Sequence, residues 1–202
     1  MNLISLGKLI NPNDFQIYVD EAEKLETVVH KYGGDFVIPE YPCWMEYKNE
    51  GSIIGSIAFT RHTFKHPILY KMVKQVVEIL TPILPNNFPP VVERVHLIRT
   101  LGNIVPHRDE AGRYSCINIG VKNSSNAITK ISNDGVYENF DDNHSSYVVE
   151  EGFGYLLNTN QLHAVDGKLD IPRYLITYGF GTKFDILNKM IRYTDDIQPS
   201  RN

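Results

Sequence analysis

A run of short β-type segments fills the second half of this chain and narrows the folds open to it. From Val91 onward, stretches rich in β-branched, aromatic and aliphatic residues alternate with Gly, Asn and Asp, which favour turns. The predicted strands are residues 91–101, 114–122, 127–132, 146–150, 154–157 and 173–180. Many short strands joined by polar turns favour a sandwich or jelly roll over a parallel α/β sheet.

The first part of the chain has helical periodicity instead. Asn13 or Asp14 can cap a helix, and Gly33-Gly34 is a suitable end for it. The apolar face of this helix would carry Phe15, Tyr18, Ala22, Leu25 and Val29. A second helix is predicted over residues 66–80, where Pro82 stops it. Its apolar stripe would be Leu69, Met72, Val73, Val76 and Leu80.

The end of the chain again has helical spacing. Phe184, Leu187 and Ile191 predict a last helix over residues 183–193, packed against the β-rich part. No linker is long enough to separate two domains, so we expect a single domain over residues 1–202. Its predicted parts are a helix-rich segment at 1–90, a β core at 91–181, and a C-terminal helix and tail at 182–202.

Composition excludes several classes of function. The formal net charge is −4, and the short basic clusters are interrupted by acids, so the chain lacks the electrostatic footprint of a nucleic-acid-binding protein. No apolar run approaches the roughly 20 residues of a membrane-spanning helix, and residues 1–8 do not resemble a signal peptide. Cys43 and Cys116 are too few for a disulfide framework. We therefore expect a cytoplasmic protein with free thiols and no membrane partner.

Three residues in the β-rich part have the pattern of a metal site. His107 and Asp109 are two apart, so an extended strand would point both side chains to one side and Arg108 away. His163 is placed near the end of a later strand and supplies a third ligand. Two histidines and one carboxylate on one face of an ion form the facial triad of non-haem Fe(II) oxygenases. The rival third ligand, His144, lies in a polar loop with no arginine following at a similar offset, and His163 is favoured.

Arg173 opens the last predicted strand and is a candidate anion anchor. Its alternation partners Leu175 and Thr177 would share an inward face, while Tyr174 and Ile176 would face the other side. A buried lone charge is costly, so an inward arginine needs an anion beside it. Its planar guanidinium offers two parallel donors to a carboxylate. A dicarboxylate cosubstrate would meet this need.

The order of these motifs resembles the 2-oxoglutarate- and iron(II)-dependent oxygenases over residues 95–181. It is closest to the aspartyl/asparaginyl β-hydroxylase-like branch, which has a P-H-x-D segment, here 106–109, and an E-G stretch, here 151–157, before the second histidine. The resemblance implies a double-stranded β-helix. It also implies that His107, Asp109 and His163 bind Fe(II) and form the catalytic centre, and that Arg173 binds 2-oxoglutarate, with O2 as the oxidant.

Two positions depart from that branch. The position of Asn118 often carries a histidine there, and that of Cys116 often an arginine, both contacting the cosubstrate. Asn118 can still hydrogen-bond a carboxylate or keto oxygen and is a candidate cosubstrate contact, whereas Cys116 cannot replace a cationic donor. His96, on the preceding strand, either shares the pocket or is a half-buried strand residue.

The resemblance implies hydroxylation of an amino acid, free or within a peptide or protein, with release of succinate and CO2. Candidate substrate contacts are Trp44, Arg99, Arg113 and Tyr114. The small, polar wall of Cys116 and Asn118 favours a compact polar substrate over a nucleic acid. One alternative is a cupin-like metal enzyme that uses no oxoacid, although such enzymes usually have a third histidine near the first pair. The other is a non-enzymatic β-sandwich module.

Overall fold

Twelve strands and three helices make up the part of the chain that the computed structural model describes, residues 2–30, 41–49, 51–58, 65–109 and 112–191. The helices are α1 (Pro12–Ala22), α2 (Pro67–Leu80) and α3 (Phe184–Met190). The strands are β1 (Leu3–Lys8), β2 (Thr27–His30), β3 (Trp44–Asn49), β4 (Ser52–Ala58), β5 (Val95–Gly102), β6 (Ile104–His107), β7 (Ser115–Lys122), β8 (Ile128–Ser132), β9 (His144–Val148), β10 (Phe153–Leu157), β11 (His163–Asp166) and β12 (Arg173–Phe180).

The strands form a large and a small sheet. The large sheet has the order β1-β10-β7-β12-β5-β4-β3-β2, and the small one β6-β11-β8-β9. Strands β5 to β12 contribute four members to each sheet, which is the double-stranded β-helix predicted for the β core. The pairings between named strands are antiparallel, apart from β2 with β3.

The N-terminal part is more β-rich than predicted. It does contain two helices, but β1 extends one edge of the large sheet and β2 to β4 extend the other. Helix α1 is capped by the Asn11 side chain, earlier in the chain than predicted, and ends at Ala22. Val29 lies instead on β2, where it is 53% exposed. This segment forms a strand because it pairs with β3, despite the helical spacing of its apolar residues. The predicted helix end at 33–34 lies outside the described residues.

The main core lies between the helices and one face of the large sheet. Alternate residues of the central strands point into it, among them Ile117 and Ile119 of β7 and Ile176 of β12. The apolar stripe of α2 is buried there as predicted. Helix α3 also packs there but ends at Met190, earlier than predicted, and residues beyond 191 lie outside the described part.

The opposite face of the large sheet looks toward the small sheet. Cys116 and Asn118 of β7 and Arg173, Leu175 and Thr177 of β12 line the space between the two sheets, as their alternation predicted. The period of two therefore separates a helix-facing core from an inner cavity. Among the described segments, no helix combines the length and the apolar character that a membrane crossing requires.

Candidate active site

His107, Asp109 and His163 converge at the mouth of the inner cavity. His107 ends β6 and His163 begins β11, and their Cα atoms are paired across the two strands. The backbone N–H of Asp109 donates to Thr159 O at 3.0 Å, which places its carboxylate after the strand end. Asp109 Oδ1 lies 3.8 Å from Nε2 of each histidine. The three ligand atoms lie within 4.8 Å of one another, so one ion can contact all three.

The two histidines are held in the tautomer that a metal requires. Nδ1 of His107 lies 2.9 Å from Val105 O, and Nδ1 of His163 lies 2.9 Å from Gln161 O. A carbonyl can only accept, so each Nδ1 carries the proton and each Nε2 keeps its lone pair. His163 is 8% exposed, and burial together with the nearby His107 lowers its pKa to about 4, which keeps the ring neutral.

The second oxygen of Asp109 faces an arginine. Arg113 Nε lies 3.1 Å from Asp109 Oδ2, although neither atom makes a hydrogen bond of acceptable angle, so the contact is an ion pair. The backbone of Arg113 is fixed by the Thr159 hydroxyl, which donates to its carbonyl at 3.0 Å. Its side chain lies across Gly179, where an added Cβ would be 3.4 Å from Arg113 Cδ. Arg113 therefore leaves Oδ1 as the oxygen directed at the two histidines.

All five predicted site residues line one cavity of about 160 Å³. They are His107, Asp109, Asn118, His163 and Arg173. The position of His163 differs from the prediction in one respect, since it begins a strand and does not end one. The other residues that line the cavity have mostly aliphatic or hydroxyl side chains. The cavity is therefore polar around His107, Asp109 and His163 and largely apolar along its walls.

Arg173 is a buried cation without an acidic partner among the described residues. Only 6% of it is exposed, its Nε has no hydrogen-bond partner, and Nη1 makes one long contact of 3.5 Å to Thr129 Oγ1. Burial lowers its pKa to about 10, so the guanidinium stays charged near neutral pH. An unpaired charge in this position is costly unless an anion enters the cavity.

Two hydroxyl groups beside Arg173 were not found from the sequence. Thr100 is the Cα partner of Arg173 on β5, and its hydroxyl is buried without a partner. Tyr147, opposite Thr129 on the small sheet, also has a buried hydroxyl, and its side chain interacts with Thr129 and with Arg173. Burial raises the pKa of Tyr147, so the phenol remains a donor. Arg173, Thr100 and Tyr147 thus place donors close together, with the Thr129 hydroxyl as the acceptor that contacts both Arg173 and Tyr147.

Asn118 lies on the neighbouring strand of the same wall. Its Oδ1 accepts from Thr177 Oγ1 at 2.7 Å and from Cys116 Sγ at 3.5 Å. The amide nitrogen is therefore the polar atom left for a cavity ligand. His96 lies outside this cavity and lines a second one of about 260 Å³, where burial and the charge of Arg113 lower its pKa to about 4.

Other histidine and substrate-contact candidates have structural roles. His144 stacks on Phe140 and its Nδ1 contacts Phe140 O at 2.8 Å, away from the metal ligands. Trp44 is fully buried and donates to Ala22 O, and Arg99 stacks on it at 4.4 Å.

The last two candidates differ from each other. Tyr114 is 38% exposed and lines neither cavity. Arg113 lines both cavities. Of the four predicted substrate contacts, Arg113 is thus the one that borders the metal ligands.

Comparison with known proteins supports the fold at low sequence identity. No family model and no curated protein matches the sequence. The structure is similar to that of the epimerase SnoN in complex with Fe3+, alpha ketoglutarate and nogalamycin RO, with a TM-score of 0.54, 8% identity, and 88% of this chain and 78% of that chain covered. It is also similar to HygX from Streptomyces hygroscopicus with nickel and 2-oxoglutarate bound, with a TM-score of 0.53, 12% identity, and 89% and 82% covered.

These identities establish a shared fold and leave function to the site itself. Non-haem proteins that bind 2-oxoglutarate are among those that share it, in agreement with the resemblance seen in the sequence. The finer assignment to the aspartyl/asparaginyl β-hydroxylase-like branch stays a prediction.

Proposed function

We propose that this protein is an Fe(II)- and 2-oxoglutarate-dependent oxygenase that hydroxylates an amino acid, free or within a peptide. The observation that carries the proposal is one cavity with two chemically distinct sets of residues. Three oriented metal ligands form one set, and a buried arginine without an acidic partner lines the same cavity. Neither a cupin-like enzyme without an oxoacid nor a non-enzymatic β-sandwich module requires both features.

The ligand set fits iron. Two neutral imidazoles and one carboxylate are the facial triad of non-haem Fe(II) oxygenases, and the other positions on the ion stay open for a cosubstrate and O2. The backbone carbonyls behind His107 and His163 orient both rings before any ion binds. Arg113 holds Asp109 from the opposite side of the carboxylate.

The surroundings of Arg173 fit 2-oxoglutarate. Arg173 would bind the carboxylate distant from the metal, with Thr100 and Tyr147 as further donors, because Arg173 Nε and the Thr100 hydroxyl are buried without partners and Tyr147 lies beside Arg173. Asn118 can donate to the same ligand from the neighbouring strand. A cavity of about 160 Å³ is large enough for a small dicarboxylate.

When bound, iron, 2-oxoglutarate and O2 supply the oxidation: the oxoacid loses CO2 to give succinate, and one oxygen atom enters a C–H bond of the substrate. The protein's residues hold and orient these groups. His107, Asp109 and His163 fix the ion, and Arg173 fixes the far end of the cosubstrate. The two sheets bury the Arg173 end of the cavity, where Arg173 is 6% exposed, and burial strengthens charge interactions there.

The main alternative is a cupin-like metal enzyme that uses no oxoacid. It shares the fold and would explain the three ligands. It gives no reason for a charged arginine buried without an acid, and no further histidine lines the cavity in the part of the chain described. Turnover of 2-oxoglutarate to succinate by the purified protein separates the two functions.

The test is incubation with Fe(II), 2-oxoglutarate, O2 and a panel of amino acids and peptides. We expect succinate and a product that has gained one oxygen atom, and neither with His163→Ala. His144→Ala is the matched control, since it removes a histidine outside the site. Alkylated oligonucleotides form a second panel. Their demethylation, with no oxygen added to any amino acid, would overturn the substrate class and leave the cofactor assignment standing.

A further inference from the structure

A second cavity lies on the other side of Arg113 from the metal ligands. It has a volume of about 260 Å³ and is lined by Glu93, Arg94, His96 and Arg113, with Phe180 and glycine backbone between them. Arg113 lines both cavities, so its side chain lies where they meet. Any molecule held here lies one residue away from Asp109.

The charged groups of this second cavity come in both signs. Glu93 and Arg94 end a short 3-10 turn (Val92–Arg94) at the rim, where both side chains are exposed. His96 and Arg113 lie deeper and are partly buried. A ligand that satisfies this lining carries an anionic group toward the two arginines and a cationic group toward the glutamate.

The charge of Arg113 becomes available when the metal site is filled. In the structure its nearest acid is Asp109, at 3.1 Å, and that carboxylate is a metal ligand. A divalent cation bound to Asp109 would neutralise part of the charge of this carboxylate. The attraction between Asp109 and the Arg113 guanidinium would then be weaker. Its Nε faces Asp109 and its side chain also interacts with Cys116, so a second carboxylate would contact Arg113 from the side that lines the second cavity.

We propose that this second cavity binds the α-carboxylate and α-ammonium groups of a free amino acid, with Arg113 as the carboxylate anchor. The inference rests on the proposed function. It narrows the substrate class from an amino acid that is free or within a peptide to a free amino acid. An internal residue of a peptide has neither charged group, so it would leave Arg113 and Glu93 without partners.

The first test is binding without turnover. The protein is loaded with Mn(II) and 2-oxoglutarate in the absence of O2 and titrated calorimetrically with the proteinogenic α-amino acids. For each binder, the methyl ester and the N-acetyl derivative are titrated as matched probes. We expect each derivative to bind at least roughly tenfold more weakly than the free amino acid, since each loses a charge-assisted contact. An ester or a doubly capped form that binds as tightly as the free amino acid overturns the proposal.

The second test places the contact on the protein. Arg113→Gln should weaken the amino acid at least roughly tenfold, and Arg113→Lys by less, because it keeps the charge without the planar fork. Glu93→Gln should weaken the free amino acid but not its N-acetyl derivative, which has no ammonium group. Lys71→Gln, an exposed change on α2, is the control and should alter neither. Equal amino-acid affinity in wild type and Arg113→Gln overturns the anchor.

Failure of the two proposals can be told apart in the same experiment. If wild type binds Mn(II) and 2-oxoglutarate but no free amino acid, the inference about the second cavity is wrong and the proposed function stands. If wild type binds neither Mn(II) nor 2-oxoglutarate, the proposed function is wrong, and the inference that rests on it is wrong as well. Arg113→Gln is therefore titrated with Mn(II) first, so that a change at Asp109 is measured separately.

Discussion

Two arginines on neighbouring strands show how differently the two faces of the large sheet are built. Arg99 lies on the helix-facing side of β5, where it pairs with Glu23 at 2.8 Å and with Glu46, and stacks on the Trp44 ring. Arg173, one position along on β12, lies on the cavity side with no acidic partner among the described residues. One guanidinium has its partners within the chain, and the other does not.

The difference separates groups that stabilise the fold from groups that await a ligand. A folded protein satisfies the large majority of its buried polar atoms, and exceptions need an explanation. Arg173 Nε and the hydroxyl of its cross-strand neighbour Thr100 are two such exceptions on the cavity side. The contrast between the two faces can be tested by changing each in turn.

The largest effect is expected at the metal ligands, on the cavity face. Alanine at His107, Asp109 or His163 should lower Mn(II) or Fe(II) affinity at least roughly a hundredfold, since even outer contacts of a metal site contribute 10–100-fold. The fold should survive because these side chains stand at the cavity mouth. Calorimetric titration and thermal unfolding measure the two properties. Tight binding by His163→Ala, with loss in His144→Ala, would show that the third ligand is wrong.

Arg173→Ala should have the next largest effect. We expect it to keep the metal and to weaken 2-oxoglutarate by roughly tenfold to a hundredfold, because a shielded charge-assisted contact contributes about 1.5–3 kcal/mol. Arg173→Lys should restore only part, since it lacks the planar fork. The apparent cosubstrate constant for succinate formation is the measurement. An unchanged constant would place the anion anchor elsewhere, and Arg99 is excluded from that role by its own pairs.

The sharpest comparison is a matched pair of methionine substitutions measured without ligands. Arg99→Met should lower the free energy of unfolding by about 1–3 kcal/mol, because it removes the close cationic partner of the buried Glu46 and leaves only the longer contact to Lys48, at 3.9 Å. Arg173→Met should leave the free energy of unfolding unchanged or higher, since it removes a buried charge that had no acid to pair with. Urea denaturation measures both. Equal destabilisation by the two changes would contradict the division between the two faces.

The smallest effects are expected at the two hydroxyl groups near Arg173. Thr100→Val and Tyr147→Phe each remove one donor while keeping the shape of the side chain. Each should weaken 2-oxoglutarate by about 0.5–1.5 kcal/mol, a few-fold to roughly tenfold, and leave metal affinity unchanged. Thr81→Val, on an exposed residue after α2, is the control. No change with either variant would mean that the cosubstrate carboxylate meets Arg173 alone.

The placement of the candidate site residues was largely predictable because its signals are local. The H-x-D spacing predicted that His107 and Asp109 lie together, as they do, although β6 ends at His107 and Asp109 lies just beyond it. The alternation of Arg173, Leu175 and Thr177 identified the inward face of β12. The alternation of side chains along a strand predicts which face a residue lies on, whether or not its contact partners are known. For the same reason the core-facing role of Ile117 and Ile119 agreed with the structure.

What the sequence missed depends on pairing between distant segments. Tyr147 has the sequence context of an ordinary short strand, and only its position opposite Thr129 brings it to Arg173. Strands β2 to β4 were missed because these segments become strands by pairing with the edge of the large sheet, and their own residues give no clear β pattern. The sequence does not show that Arg99 has acidic partners and Arg173 has none, because such pairing depends on tertiary structure.

The pairing of His107 with His163 has a consequence for how the protein is made. These residues lie on β6 and β11, with four other strands between them along the chain. Such non-local pairing forms slowly, because the intervening chain must be closed into a loop first. A chain emerging from the ribosome presents two of its three ligands long before the third is synthesised. The site therefore assembles only after β11 has been synthesised, and nascent fragments that end before β11 lack it.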